Sequence, residues 1–284
     1  MSQFACISFE EDNIIVSKEK SFRYPHLKIS LDIQEIAGIE GYKVNTPTPF
    51  KKCPTKYWDK LEKELLLRDV TYAYLKGAEK SFNPFNRIEI VTGDEVRPLL
   101  SSMILQYIYK YKLIEPRPYE TKVGIITGRI HETVDLIANI KDEITDLTLY
   151  TKEPLAYKEV VQELNRLIKL RVRAVALKVE ALNEMDIIFD LNGAGQYALG
   201  CNPKAIYIDY KNQTRRYMQQ FIGPPPRIWY EFDIICRSQS LSVPFLQAVL
   251  YAQGLTHGLL RKEINNLDLT LGKVYTRSIS WHPA

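Results

Sequence analysis

The chain has 284 residues, of which 45% are hydrophobic and 25% charged, and its 38 basic and 34 acidic side chains leave a net charge of +4. A chain of this length and make-up buries a sizeable core without disulfides, divides into about two domains at roughly 150 residues each, and carries too little excess charge to imply nucleic acid. The four cysteines (Cys6, Cys53, Cys201, Cys236) include no CxxC pair and the four histidines are dispersed, so no metal is expected. No apolar run nears the ~18 residues of a membrane span, and Met1-Ser2-Gln3-Phe4 is not followed by a leader-like stretch, so a soluble cytoplasmic protein with reduced thiols and no membrane contact is expected.

Residues 1–50 read as short strands and loops, with strand candidates at 5–9, 14–16 and 27–33. Asn45-Thr46-Pro47-Thr48-Pro49 is a loop. Residues 56–77 read as one helix, because Trp58, Leu61, Leu65 and Tyr72, and beside them Leu66, Val70 and Ala73, fall at helical spacings. A short strand at 88–92 precedes Asp94, which stands where an N-cap carboxylate would accept from first-turn amides. The helix after it has the clearest stripe in the chain, from Val96, Leu99 and Leu100 to Ile108 and Tyr111, with Pro98 in its first turns. Glu115-Pro116-Arg117-Pro118 breaks that helix and marks a boundary.

From Lys122 onward strands 122–127, 146–151, 172–179, 186–191 and 205–209 alternate with helices 131–143 and 154–170. Near-continuous apolar strands such as Ile187-Ile188-Phe189 belong in a parallel sheet covered on both faces. One more strand is expected at 228–236, then helices at 243–254 and 255–264. The predicted fold is therefore α/β: a Rossmann-like, doubly wound parallel sheet (117–240), preceded by a smaller N-terminal α/β domain (1–116) and followed by C-terminal helices (241–284).

A doubly wound sheet keeps its phosphate-binding glycines in the turn after its first strand. Here that turn is Thr127-Gly128-Arg129-Ile130-His131, with Glu132 next. Gly128 offers one bare position. Arg129 and His131 either grip a phosphate or block its place, and Glu132 suits the helix dipole but repels a pyrophosphate. The second strand ends in Thr151-Lys152 with no acidic residue for a ribose, which favours NADP(H) over NAD, unless this is only a polar turn before the Pro154 helix. The fourth strand runs into Asn192-Gly193-Ala194-Gly195, a turn that either lets a flat ring approach or is simply tight. Lys204, Lys211, Arg215, Arg216 and Arg227, interleaved with Tyr207, Tyr210 and Tyr217, form a basic stretch; solvated charges explain it better than nucleic acid does. Cys201 has no identifiable histidine partner and reads as a plain thiol.

The order of elements resembles shikimate dehydrogenases and their relatives. Asp186 to Gly195 is similar to that family's D-I-V-I-N-A-T-S-A-G pattern, Ile208-Asp209-Tyr210 with Thr214 to its next strand end, Thr92-Gly93-Asp94 to its N-T-D segment, and Pro49-Phe50-Lys51 to the P-x-K of its lysine loop. Gln247 faintly resembles its C-terminal glutamine. The resemblance implies a lysine and aspartate catalytic pair on Lys51 and Asp94, the lysine taking a hydroxyl proton and the carboxylate setting its proton affinity. Two departures stand out: residues 1–30 hold no H-S-x-S-P stretch, and the G-A-G-G-A turn is replaced by residues 127–131.

The expected activity is thus an NADP(H)-dependent oxidoreductase acting on a small hydroxy or keto substrate other than shikimate, with the cofactor on Thr127, Gly128, Arg129, His131, Thr151, Lys152, Asn192, Gly193 and Gly195. The alternative is a non-catalytic Rossmann-like protein that binds another ligand or a protein partner. A homodimer is compatible with either. The substrate itself is not written in the sequence.

Overall fold

The computed structural model describes residues 2–9, 29–36, 38–79, 81–167, 170–255 and 257–277. In chain order the elements are β1 (Gln3–Ser8), β2 (Leu31–Ile36), β3 (Ile39–Asn45), α1 (Thr55–Leu66), β4 (Val70–Leu75), β5 (Glu89–Ile90), α2 (Ser101–Lys110), β6 (Val123–Ile126), α3 (Ile130–Ile140), β7 (Asp146–Thr151), α4 (Lys158–Leu167), β8 (Arg171–Ala176), β9 (Ile187–Asp190), β10 (Ile206–Asp209), β11 (Arg227–Cys236), β12 (Gln239–Ser242), α5 (Val243–Ala252), α6 (His257–Asn266) and β13 (Leu269–Arg277). They form two compact units, Met1–Val96 with Cys236–Asp268, and Arg97–Ile235 with Leu269–Ala284. The boundary read at 116 lies inside the second unit, and 241–284 is shared between both. The strand candidate at 14–16 lies outside the described residues.

The first unit is built on a sheet of order β2-β3-β1-β4-β5, parallel except for the antiparallel edge strand β2. Successive side chains of a strand point to opposite faces, and the two faces are packed differently. Ala5, Ile7, Ala73 and Leu75 join the core cluster that holds Tyr57, Trp58, Leu61 and Leu65 of α1. Phe4 and Tyr74 instead meet Phe245, and Tyr72 meets Tyr251, all by aromatic contacts with α5. The unit is therefore three layers deep, with the late helix α5 closing the face that α1 leaves open.

The helix expected over 56–77 ends at Leu66, and its second half is the interior strand β4. Tyr72 and Ala73 continue the helical stripe by accident of spacing, but Val70-Thr71-Tyr72 is β-branched and aromatic, and such residues fit a pleated surface. The break falls at Asp69, which takes a positive φ of 56° without being glycine. Asp94 does not cap α2. It lies in a turn, a 3-10 segment at Arg97–Leu100 intervenes, and α2 starts from Leu100 with no side-chain cap.

The second unit has the strand order β11-β10-β9-β6-β7-β8, with β13 also paired to β11. Neighbours from β8 through to β11 are parallel. Counted from β6 as the first strand, this is the order 3-2-1-4-5-6 of the dinucleotide-binding Rossmann sheet. β6, β9 and β10 are buried along their whole length, as central strands of such a sheet must be. The two halves are unequal. Helices α3 and α4 link β6, β7 and β8, whereas β9, β10 and β11 are joined through 3-10 turns at Gln196–Gly200 and Thr214–Gln220. The C-terminal helices α5 and α6 are present, and β13, with its alternating Leu269, Leu271 and Lys273, is a strand that the helical reading of that stretch overlooked. Among the described residues no helix is long and apolar enough to cross a membrane.

Candidate functional site

The strand order of the second unit reverses between β6 and β9, and a doubly wound sheet takes its ligand outside the carboxyl ends at that point. The turns after β6 and β9 meet there. Asn192 Nδ2 donates to the Thr127 carbonyl at 3.4 Å, and the Thr127 amide donates to Tyr150 on β7 at 3.0 Å. Thr127, Gly128, Asn192 and Gly193 are thus brought together, with Thr151 and Lys152 at the next strand end. Thr151 is buried and its hydroxyl accepts from the Glu153 amide at 3.1 Å. Lys152 and His131 are exposed.

The glycines of these turns face protein rather than open space. A Cβ on Gly128 would lie 2.8 Å from Glu132 Oε2 and 2.9 Å from the Leu191 carbonyl. One on Gly193 would lie 2.6 Å from the Lys211 side chain, and one on Gly195 would lie 2.7 Å from the Gln213 backbone, with Gly195 also at φ +64°. Each glycine is accounted for by close packing inside the fold. Tyr157, 29 residues beyond Gly128, is buried and its hydroxyl donates to the Gly128 carbonyl at 3.2 Å.

The amino end of α3 carries its own carboxylate. Glu132 is buried, and its Oε2 accepts from the Arg129 amide at 3.2 Å. Its Oε1 lies 2.7 Å from the Arg129 guanidinium and 3.8 Å from Lys211 Nζ. A helix amino end offers bare amides and a positive dipole to an anion. Here a resident carboxylate takes part of that offer, and two cations are already drawn to it. A pyrophosphate would have to take Arg129 and Lys211 from this carboxylate and sit beside its negative charge, so the residues present fit a dinucleotide poorly at the glycine turn.

Two further carboxylates end β9 and β10. Asp190 is fully buried; it accepts from the Asn192 amide at 2.9 Å, the Gly193 amide at 3.0 Å and the Tyr207 hydroxyl at 2.6 Å. Burial pushes its carboxyl above the usual range, against the pull of those hydrogen bonds. Asp209, also fully buried, accepts from the amide and hydroxyl of Thr214 at 2.8 and 2.7 Å. Both hold the turns that follow them. The only sign of this in the sequence is an Asp closing each apolar strand. Among the described residues no group of three or more His, Cys, Asp or Glu side chains is placed to hold a metal ion.

In the first unit Lys51 lies in a short turn after β3, and its ammonium pairs with Glu79 at 2.8 Å, both side chains about two-thirds exposed (68% and 67%). Asp94 follows β5. Strands β3 and β5 stand three places apart in the sheet, roughly 14 Å at ~4.8 Å per place. In the basic stretch Tyr207 and Tyr210 are buried and only Tyr217 is part-exposed, Lys204 pairs with Glu115 at 2.9 Å, and the Arg227 guanidinium donates to the carbonyls of Leu113 and Lys204. Cys201 is buried, donates to the Tyr197 carbonyl at 3.4 Å, and burial pushes its thiol well up.

No protein-family model and no curated protein matches the chain. Solved structures do. A shikimate 5-dehydrogenase from Listeria monocytogenes, in complex with shikimate and NAD, is 10% identical with a TM-score of 0.33, over 77% of this chain and 84% of that one. A quinate dehydrogenase from Corynebacterium glutamicum, in complex with NAD, is 7% identical with a TM-score of 0.35, over 94% and 99%. A Δ1-pyrroline-2-carboxylate reductase from Thermococcus litoralis, in complex with NADH and L-proline, is 14% identical with a TM-score of 0.30, over 39% of this chain and 35% of that one. The chain is similar to these NAD(H)-binding enzymes in structure and not in sequence, and its fold class stands on its own strand order.

Proposed function

We propose that this chain is a Rossmann-type binding protein that has given up the dinucleotide seat and recognises a different ligand or a protein partner. The observation that carries the reading is Glu132. Its buried carboxylate closes the amino end of α3 and engages Arg129 and Lys211, the side chains best placed to meet a phosphate. Gly128, hemmed in by the Leu191 carbonyl, adds no open cradle beside it. Fluorescence titration with NADPH and NADH tests this directly: neither is expected to bind at millimolar concentration, and saturable binding of either would overturn it.

A second reading keeps the dinucleotide, and the strand order favours it, because 3-2-1-4-5-6 is the arrangement that binds one. On that reading the chain is an NADP(H)-dependent oxidoreductase of the shikimate dehydrogenase kind, acting on a small hydroxy or keto substrate. Lys51 and Asp94 serve as its catalytic pair, and Thr151 with Lys152 gives the preference for a 2′-phosphate. Arg129 must then leave Glu132 for the cofactor. NADPH binding that is tighter than NADH binding and lost in Lys152→Glu is its expected signature.

A further inference from the structure

The customary ligand end of a doubly wound sheet is the carboxyl end of its strands. The second unit also has a cavity at the opposite end. It measures about 810 Å³, within the roughly 300–1,000 Å³ of small-molecule sites. Its walls are the 112–116 loop after α2 and the 202–205 loop before β10, with Met185 and Asp186 just ahead of β9 and Arg227 at the start of β11. Every lining residue belongs to the second unit.

Charges of both signs line it, Lys112, Lys204 and Arg227 against Glu115 and Asp186. Lys204 and Glu115 pair with each other at 2.9 Å between the two loops, both about three-quarters exposed (75% and 78%). Arg227 and Asp186 are held in place from behind. The Arg227 guanidinium donates through one nitrogen to the carbonyls of Leu113 and Lys204, and one Asp186 oxygen accepts from the Lys122 amide at 2.8 Å. Arg227 and Ile187 are both in register with Ile206. Asp186 and Arg227 therefore begin strands two places apart, roughly 10 Å at ~4.8 Å per place. Two hydrogen bonds of about 2.9 Å each and the short ammonium-to-carboxylate step of an α-amino acid fill such a span. Met185 and Ala205, both buried, supply an apolar floor. An anion and a cation fixed this far apart over an apolar floor are complementary to a zwitterion that carries an apolar side chain.

We propose that this cavity binds a free α-amino acid with an apolar side chain. Its carboxylate lies on Arg227 and Lys112, its ammonium on Asp186 and its side chain over Met185 and Ala205. The carboxylate meets a guanidinium fork that is already oriented, the donor best matched to its shape. The site stands at the amino end of the sheet, away from the turns that carry the reading of the dinucleotide seat, and does not depend on that reading. NADPH titration and amino-acid titration therefore fail or succeed separately.

The test is calorimetric titration of the full chain with L-leucine. Isocaproate, which lacks the ammonium, and isoamylamine, which lacks the carboxylate, are the controls, and succinate is the rival that carries two anions. Leucine is expected to bind saturably at millimolar concentration or below, and each control roughly tenfold more weakly, the loss of one charge-assisted contact. Asp186→Asn, which keeps an acceptor for the Lys122 amide, is expected to weaken leucine about tenfold and to leave isocaproate unchanged. Lys112→Gln is expected to weaken leucine and isocaproate alike, about threefold. Lys112 is exposed, so this variant keeps the test open should Asp186→Asn fail to fold. No saturable leucine binding, binding of isocaproate or succinate as tight as that of leucine, or a leucine affinity unmoved by the substitutions overturns the proposal.

Discussion

The strand ends of the two sheets are furnished in opposite ways. In the second unit the turns after β6, β9 and β10 are filled from within: Gly128 by Leu191 and Glu132, Gly193 by Lys211, Gly195 by the 213–214 backbone, and the buried carboxylates by their own turns. In the first unit the loops after β1, β3 and β4 leave an open cavity with a charged rim. The sheet whose strand order is built for a cofactor is the one whose strand-end turns are packed from within. The more modest sheet has kept an open crevice. A fold's customary ligand end is only an address, and the side chains decide whether anything is received there.

The sharpest way to break that contrast is to insert a single methyl group at each place. Gly195→Ala puts a Cβ 2.7 Å from backbone and at φ +64°, combining overpacking with left-handed strain, and is expected to cost about 3 kcal/mol. Gly77→Ala, on the cavity wall at φ +84° with nothing within 4 Å, carries the backbone cost alone, about 1 kcal/mol. Urea melts of the two variants compare them directly; equal losses would mean that the second unit's turns are not tightly packed.

Asp190 tests the closed turns through charge. Asp190→Ala strips an acceptor from two backbone amides and the buried Tyr207 hydroxyl and is expected to cost about 2 kcal/mol. The pH dependence has a definite sign. Burial raises the Asp190 carboxyl above its ordinary value near 4, so between that value and the raised one the native state holds a proton that the unfolded chain has released. Stability contributed by this group is therefore greatest in acid, falls as pH rises through that window, and levels off above it. Asp190→Asn keeps the amide contacts, offers Tyr207 a donor, and is expected to remove that slope.

Much of the second unit was legible in the sequence, because its strands are short apolar runs separated by patterned helices and the 127–131 turn falls where the first crossover must begin. The first unit was harder. The one local sign that separates β4 from the end of α1 is the β-branched and aromatic Val70-Thr71-Tyr72, and the helical spacing of Tyr72 and Ala73 masks it. The closed crevice was half visible: Glu132 was suspect from its place in the turn, but Tyr157 reaches Gly128 across 29 residues, and the packing of Gly193 against Lys211 depends on two strands becoming neighbours. Long-range contacts of that kind have no local signature.

Glu132 is the residue through which the closed end can be reopened. Glu132→Ser removes the carboxylate, leaves Arg129 and Lys211 facing the helix end, and keeps a small polar side chain. The loss of the ion pair and the backward capping bond is expected to cost about 1 kcal/mol. In exchange inorganic phosphate should bind at millimolar concentration where the parent chain shows none, read as a phosphate-dependent rise in melting temperature. A parent chain that responds as strongly as the variant would show that Glu132 does not close the site.

The smallest structural effect belongs to the open end. The Lys51–Glu79 pair is held between two largely exposed side chains, where water screens the charges and side-chain entropy opposes their meeting, so Glu79→Gln is expected to shift stability by less than ~0.5 kcal/mol. Its leverage lies elsewhere. Among the described residues that line the cavity, Glu79 is the one carboxylate beside Lys51, Lys52 and Lys76, and removing it changes the charge an anionic ligand meets by a full unit without disturbing the core. A neutral melt is the expected outcome of Glu79→Gln, and a loss above ~1 kcal/mol would show that the pair is structural. In the second unit the corresponding carboxylate, Glu132, is buried and structural, so the same substitution there cannot leave the fold untouched.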